Sequence, residues 1–338
     1  YDGCRWKWKR CLSFVGFRTL RKIFYKDWIY SWLIEKKDYI KESTYANYSN
    51  NIFNHIIPKL GDYTLSELNH KIIQDFLLEL SKNGKKNGSG GLSEKTIKDI
   101  TIIIKGSIKK GINEDKIKHI ELTFNYPKEN KDKSIYILSK HEQNKLTDYV
   151  LNNLTSRNLG ILLSLYSGIR IGELCALQWK DIDFKNNKLI ISKTVQRIYI
   201  KDKDKNISKV IITSPKTKNA NREIPINKDF IEILKKIKSD NEYYILSNGE
   251  KYIEPRTYRK YFNKILKENK IKHFNFHSLR HTFATNCITL GCDYKTVSEL
   301  LGHANVNITL NLYVHPRYSQ KKKCIDLVSK IFQEKVNK

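Results

Sequence analysis

An all-helical domain followed by a domain of mixed helix and strand is the fold class this sequence predicts. Over residues 23–120 the apolar residues recur at helical spacing, with no strand-like alternation. Around 125–136 that pattern gives way to a charged stretch with one proline and no apolar anchor, the composition of an interdomain linker. Beyond it, helical stripes are interleaved with β-branched runs at 188–200, 207–213 and 222–226. A length of 338 residues accommodates two domains and part of a third.

The first 22 residues read as the end of a small module. Arg5-Trp6-Lys7-Trp8-Lys9-Arg10 alternates cationic and aromatic side chains, the period of a strand with one basic face. Arg5, Lys7 and Lys9 on that face suit contact with phosphate, although a solvated edge strand reads the same way. Gly16-Phe17-Arg18-Thr19 makes a turn. A first helix then places Phe24, Trp28, Trp32 and Leu33 on one face. Ser43 or Thr44 opens a second, with Tyr45, Tyr48, Ile52, Phe53 and Ile56 inward, and Pro58 with Gly61 ends it. Thr64 and Glu67 have capping-box spacing before a third helix carrying Ile72, Ile73, Phe76, Leu77 and Leu80. The Gly- and Lys-rich loop 84–91 presents Lys85 and Lys86 where they could follow a polyanion backbone, or merely connect. A fourth helix from Ser93 aligns Ile97, Ile100, Ile104 and Ile108.

In the second domain Ser139 and Glu142 form a capping box, and a buried helix spans 159–166 up to Ser167-Gly168. Asn227 caps a helix running to Ile237, Pro255 starts another to Lys267, and helices around His277 and Asp293 follow, the latter closed by Gly302. After Tyr313 the pattern Ile325, Val328, Ile331, Phe332 is amphipathic.

Lysine and arginine number 63 against 35 acidic residues, a formal net charge of +28. Such an excess favours a polyanionic partner through counterion release, though heavy Lys, Asn and Ile usage also fits an AT-rich coding bias. No apolar run approaches the ~18–20 residues of a membrane span. The six cysteines form no Cys-x-x-Cys pair, as expected of free thiols in a reducing compartment. With no methionine anywhere, the sequence is expected to begin inside a longer protein.

Residues 277–313 concentrate the chemistry. His277-x-x-Arg280 puts a proton carrier and a cation one helical turn apart; a surface ion pair has the same spacing. Arg170, between Gly-punctuated apolar stretches, needs a partner if buried, and Glu173 one turn on supplies one. That pair could be purely structural. Lys216 and Lys218 project from the turn 214–219, where a lysine held against a leaving oxygen serves as general acid. His303 follows Leu301-Gly302 at a helix end, and Tyr313 supplies a phenol that can act as nucleophile or sit in a core.

Taken together, Ser167-Gly168-Ile169-Arg170-Ile171-Gly172-Glu173-Leu174, His277-Ser278-Leu279-Arg280-His281-Thr282-Phe283-Ala284-Thr285 and Leu300-Leu301-Gly302-His303 through Tyr313 resemble the tyrosine recombinase (phage-integrase) family, of the type found on Gram-positive conjugative transposons and prophages. The resemblance implies the end of an arm-binding sheet-and-helix module at 1–22, a four-helix, SAM-like core-binding domain at 23–124, a linker at 125–136 and a mixed α+β catalytic domain with a tail helix at 137–338. It implies site-specific integration or excision of a mobile element, in which Tyr313 attacks a DNA phosphate to leave a 3′-phosphotyrosine on the way to a Holliday junction. Arg170 and Arg280 would hold the non-bridging oxygens, His303 would donate a further hydrogen bond, and His277 would accept the phenol proton. Lys216 would protonate the leaving 5′-oxygen, with Lys218 in its place if the hairpin register differs. Glu173 would support. Neither metal nor other cofactor is implied. The implied partners are double-stranded DNA, three further copies of the chain linked through the tail into a tetramer on two duplexes, and an accessory directionality factor; the implied location is the bacterial cytoplasm, at the nucleoid. Two rivals share the fold: a type IB topoisomerase, which lacks the histidine that heads the His-x-x-Arg motif, and a decayed integrase that only binds DNA.

Overall fold

The computed structural model describes residues 22–127, 135–203, 205–214 and 221–313, with 322, 325, 326 and 329. Two compact units result, one holding the described residues up to 127 together with 199–207, the other the described residues 135–198 and 208 onward. The first is all helix apart from the short segment 199–207; the second mixes helix and sheet, as the patterning predicts. No described helix is long and apolar enough to cross a membrane.

In the first unit α1 (Tyr25–Lys36) buries Tyr25, Trp28, Ile29, Trp32 and Leu33. Phe24, expected on that face, instead precedes the helix and bridges to Thr64, with its ring exposed beneath the Lys26 ammonium. The second helix begins at Glu42, a residue or two before the expected caps, as α2 (Glu42–Asn51). It ends as expected with Gly61 as the C-cap, but Pro58 is not what stops it. The chain widens into a π turn at Ile52–Ile56 and continues as α3 (Ile57–Leu60), so Pro58 falls in a first turn, where its missing N–H is no loss. The Thr64–Glu67 contact exists, with Thr64 N–H donating to the Glu67 carboxylate at 2.7 Å, but it does not start a helix. Leu65 N–H is taken by Ile23 O at 2.7 Å, which ties this segment to the start of the unit. The cap proper is Asn69, whose side chain accepts from Ile72 N–H at the head of α4 (His70–Asn83). Ser93 caps α5 (Glu94–Asn113) as expected, and its isoleucines 97, 100, 104 and 108 lie in the core.

The second unit opens with α6 (Lys140–Asn152) on the Ser139–Glu142 capping box. Next come the buried α7 (Ser156–Ser167) and the short α8 (Ile171–Ala176). Strands β1 (Ile182–Asp183) and β2 (Lys188–Ile191) pair antiparallel, and β5 (Arg222–Pro225) completes that sheet on the other side of β2, opposing Leu189 to Ile224 and Ile191 to Arg222. The run 188–200, expected as one strand, is two. After Ile191 the chain leaves the sheet and restarts as β3 (Thr194–Lys201), which pairs only with β4 (Asn206–Thr213). There Thr194 and Val195 pack closely on Gly172, where an added Cβ would lie 2.5 Å from Thr194 Oγ1 and 2.8 Å from Val195 O.

Helices α9 (Lys228–Ile237), capped by Asn227, and α10 (Pro255–Glu268) precede α11 (His277–Thr289), α12 (Tyr294–Leu301) and α13 (Val306–Tyr313). The start of α11 is set by aromatic packing, for Phe276 meets Phe262 edge-on at 5.0 Å and Tyr258 at 5.5 Å. The expected tail helix beyond Tyr313 and the basic strand at 5–10 lie outside the described residues.

Two helices of this unit end on left-handed glycines, Gly168 after α7 (φ 67°) and Gly302 after α12 (φ 63°). At Gly168 an added Cβ would lie 2.5 Å from Phe283 Cδ1 and 2.8 Å from Leu301 Cδ2, so space as well as φ forbids a side chain. Gly88 shares the positive φ, at 70°, but faces open space. Gly168→Ala is therefore expected to destabilise its unit by about 2–4 kcal/mol, and Gly88→Ala by only about 1 kcal/mol. Urea midpoints of the two variants, compared with the parent, check this; equal losses would mean that packing at Gly168 is slack.

Candidate active site

The last carbonyls of a helix have no intrahelical donor and carry the negative end of its dipole. At the C-terminus of α12 three in succession are each taken by a different arginine: Leu300 O by Arg222 Nε at 2.6 Å, Leu301 O by Arg280 Nη2 at 2.6 Å and Gly302 O by Arg170 Nη2 at 3.0 Å. Arg280 donates a second bond to Gly168 O at 2.9 Å, so the carbonyls of both left-handed caps receive an arginine. The spacing between these arginines in sequence is large, and the fold removes it. Arg170 sits between α7 and α8, Arg222 begins β5, and Arg280 lies one turn into α11.

Their accessibility differs. Arg280 is 2% exposed, which disposes of the surface ion pair as a reading of His-x-x-Arg. The Arg170 side chain is 35% exposed, and among the described residues Glu173 and Gly302 O take two of its five N–H groups. Glu173, 3% exposed, binds Arg170 Nη1 at 2.7 Å and accepts from Arg170 N–H at 2.9 Å. It also receives both Nη atoms of Arg222, at 3.1 and 2.9 Å. Burial pushes the Glu173 carboxyl up, but the hydrogen bonds and charge of Arg222, then the charge of Arg170, outweigh it and hold the group below its usual range.

Arg222, with a side chain 6% exposed, was missed by sequence reasoning. The available signal was a lone arginine opening a short apolar strand, where an unpaired guanidinium would be costly.

The imidazoles stand among these charges. His303 is buried, with Nδ1 at 2.8 Å from the Thr309 hydroxyl of α13. Burial, followed by the charges of Arg280 and Arg170, pushes it down to about 3. Partial burial, then His281, Arg280 and Arg170, pushes His277 down to about 4, although the residue as a whole is exposed. His281 meets the His277 ring edge-on at 4.6 Å. Both His277 and His303 are therefore neutral near pH 7, the form in which an imidazole accepts a proton or donates a single one.

The fold thus brings Arg170, Glu173, His277, Arg280 and His303 together. Tyr313 is the last residue of α13, whose first turns carry Thr309; its side chain lies outside the described residues, as do Lys216 and Lys218. Lys85 and Lys86 are exposed on the first unit, and Arg5, Lys7 and Lys9 lie outside the described residues.

A model of the phage integrase family matches residues 136–320, and one of a phage-integrase N-terminal SAM-like domain matches residues 24–81. The chain is 28% identical over 332 residues to a XerC-like tyrosine recombinase of Caldanaerobacter subterraneus, covering 90% of this chain and 83% of that protein. It is 26% identical over 282 residues to the transposase of transposon Tn916 from Enterococcus faecalis, covering 77% of this chain and 66% of that one. Among solved structures, the Tn1549 transposon integrase in complex with a circular intermediate DNA superposes with a TM-score of 0.71 at 20% identity, over 90% of this chain and 99% of that chain. At that identity the likeness speaks for the fold.

Removing one partner from a buried charge network leaves the other uncompensated, so Arg222→Met is expected to cost about 3–5 kcal/mol. Adding Glu173→Gln should cost less than the two single losses combined, since the amide no longer needs the guanidinium. Chemical denaturation of the single and double variants decides it, and strict additivity would mean that the two groups are not coupled. The imidazoles make a separate prediction. Because His277 and His303 are held below 6.5, the unfolded chain takes up protons before the fold does. Stability should be fully present above about 6.5 and decline as pH falls toward about 4, with Glu173 adding to the loss only below its ordinary value of 4.5. A melting temperature flat between pH 7 and 5, or a slope unaltered by His303→Gln, would contradict this.

Proposed function

This chain belongs to the phage integrase family, and we propose from that premise that it breaks and rejoins duplex DNA at specific sites, integrating or excising a mobile element. The observation that carries the reading is the seating of Arg170 and Arg280 on the adjacent carbonyls of Gly302 and Leu301, with two neutral imidazoles within electrostatic reach. Guanidiniums fixed in this way are suited to the non-bridging oxygens of a phosphodiester, where charge grows as the phosphorus becomes five-coordinate.

In the proposed reaction the Tyr313 oxygen bonds to phosphorus as the bond to the 5′-oxygen breaks, leaving a 3′-phosphotyrosine. The phenol proton passes to His277, whose lowered pKa supports its being neutral and able to receive it. We assign the Thr309 hydroxyl as donor to His303 Nδ1, 2.8 Å away, which puts the ring proton on Nε2, from where it would be given in a hydrogen bond to the phosphate. Lys216 delivers a proton to the leaving oxygen, or Lys218 does if the turn is registered differently. Glu173 and Arg222 position Arg170 and touch no substrate. The phosphotyrosine keeps the energy of the phosphodiester, so attack by a 5′-hydroxyl reseals the strand without ATP.

Exchange between two duplexes cuts four strands in all, each needing its own tyrosine. A tetramer follows from the chemistry, and we assign its linkage to the amphipathic tail after Tyr313. The domain limits 1–22, 23–124, 125–136 and 137–338, DNA contact by Arg5, Lys7, Lys9, Lys85 and Lys86, an accessory directionality factor and a place at the bacterial nucleoid complete the proposal.

A nicked suicide duplex carrying the recombination site, from which the cleaved end diffuses away, should trap a covalent protein–DNA adduct. Tyr313→Phe should abolish the adduct. Arg170→Lys should keep DNA binding while cleavage falls about a hundredfold or more. An adduct that persists in Tyr313→Phe would remove the nucleophile assignment, and unchanged cleavage in Arg170→Lys would remove the phosphate clamp.

A further inference from the structure

A second gathering of positive groups lies in the first unit, where Lys86 meets residues that have no part in the site above. Asn54, in the π turn Ile52–Ile56, accepts at Oδ1 from Lys201 Nζ at 3.0 Å and also from Lys86 Nζ. Lys201 Nζ lies 3.5 Å from Phe53 O as well, a carbonyl within the widened turn. His55 follows directly. Lys201 is held in place by its backbone, because the Ser49 hydroxyl donates to Lys201 O, the Asn50 amide donates to Tyr199 O, and residues 199–207 are part of this compact unit.

Two ammonium groups on one amide oxygen are an unusual way to spend lysines. Elsewhere in the unit lysines face carboxylates, as in Lys26–Asp62, Lys59–Glu79, Lys98–Glu94 and Lys110–Glu35. Here Asp202, the nearest acid along the chain, is turned to the Tyr30 hydroxyl at 3.1 Å. Burial, then the charge of Lys86, holds the Lys201 ammonium below its ordinary value. Burial, then Lys86 and Lys201, does the same to His55. The charges collected at this point repel one another, and no carboxylate among the described residues forms a salt bridge with either ammonium. The loop carrying Lys86 is open on its outer side, where a Cβ at Gly88 or Gly90 would meet nothing within 4 Å. Each ammonium has three N–H groups, so both could hold Asn54 and a further acceptor at once.

We propose that Asn54, Lys86 and Lys201, with His55 at the rim, form a phosphate site that takes a backbone phosphate of the DNA on which the chain acts. The inference rests on the function proposed above for its ligand, but not for its geometry. Phosphate contacts carry no sequence information, so a mixed-sequence duplex is a sufficient probe.

The decisive variant is Asn54→Asp, which keeps the shape and places a carboxylate between the two ammoniums. Melting of the full chain should hold or rise, because the repulsion is relieved. Affinity for the duplex at fixed salt should fall about tenfold or more, and the slope of log affinity against log salt should shrink by about one, the change for one lost phosphate contact. Lys86→Gln, on an exposed loop where folding is not at stake, should shrink the slope in the same direction. A slope unchanged in both variants overturns the proposal, whatever happens to stability. The suicide-substrate adduct of the unmodified chain is a separate readout: its absence would remove the recombination reading while the salt slopes still decide the phosphate site.

Discussion

The second unit depends on the C-terminus of α12. Buried guanidiniums without acceptors are costly, and so are buried helix-end carbonyls without donors. Leu300, Leu301 and Gly302 solve both problems at once by presenting three carbonyls to Arg222, Arg280 and Arg170. The left-handed turn at Gly302 makes this possible, since it swings the last carbonyl out of the helical direction toward Arg170. The chain then passes at once into His303, so the residue after the cap inherits a position fixed by three arginines. The Leu-Leu-Gly-His pattern is thus a structural device before it is a chemical one.

The charge balance of the site follows from the same arrangement. Among the described residues that meet there, Glu173 is the carboxylate shared by Arg170 and Arg222, and Arg280 donates to the carbonyls of Gly168 and Leu301. A positive excess remains. Burial first, and then this excess, keeps His277 and His303 neutral in the absence of substrate, at the expense of their basicity. A phosphate arriving between the arginines would, on the proposed mechanism, cancel part of that field and make both imidazoles more basic. On the proposed mechanism, His277 is a poor base in the empty site and a better one when there is a proton to take. Substrate and base strength are coupled by electrostatics, with no movement required.

Legibility from sequence followed the range of the interaction. Apolar stripes such as Ile97, Ile100, Ile104 and Ile108 report a helix because period and burial are local, and the caps at Ser93, Ser139 and Asn227 were readable for the same reason. The motif residues Arg170, Glu173, His277, Arg280 and His303 were found through their order, and the fold brings them together. What escaped depended on distant partners. The break at Ser192–Lys193 divides two separate sheets, and nothing in the β-branched run 188–200 announces it. Thr64 and Glu67 make their local contact, yet the helix waits for Asn69 because Leu65 N–H is engaged by Ile23 O. Pro58 with Gly61 reads as the end of the second helix; Gly61 does cap it, whereas a π turn just before Pro58 places the proline harmlessly in a new first turn. Arg222 escaped because its importance lies in Glu173 and Leu300, far away in sequence.

The two gatherings of positive charge use different residues for a physical reason. In the second unit the cations must hold one geometry while buried, and arginine suits this, since a rigid fork with five donors can satisfy several acceptors and still direct an N–H toward a ligand. In the first unit the cations stand at the surface on Asn54, and lysine, a hydrated point charge on a flexible stem, attracts an anion without dictating its angle. Electrostatic attraction tolerates such latitude, whereas transition-state stabilisation does not, because its donors must already be aimed when charge develops. The π turn belongs with the looser site. It turns Asn54 and Phe53 O toward the two ammoniums, and that partial compensation is what lets like charges stay together until a stronger acceptor arrives.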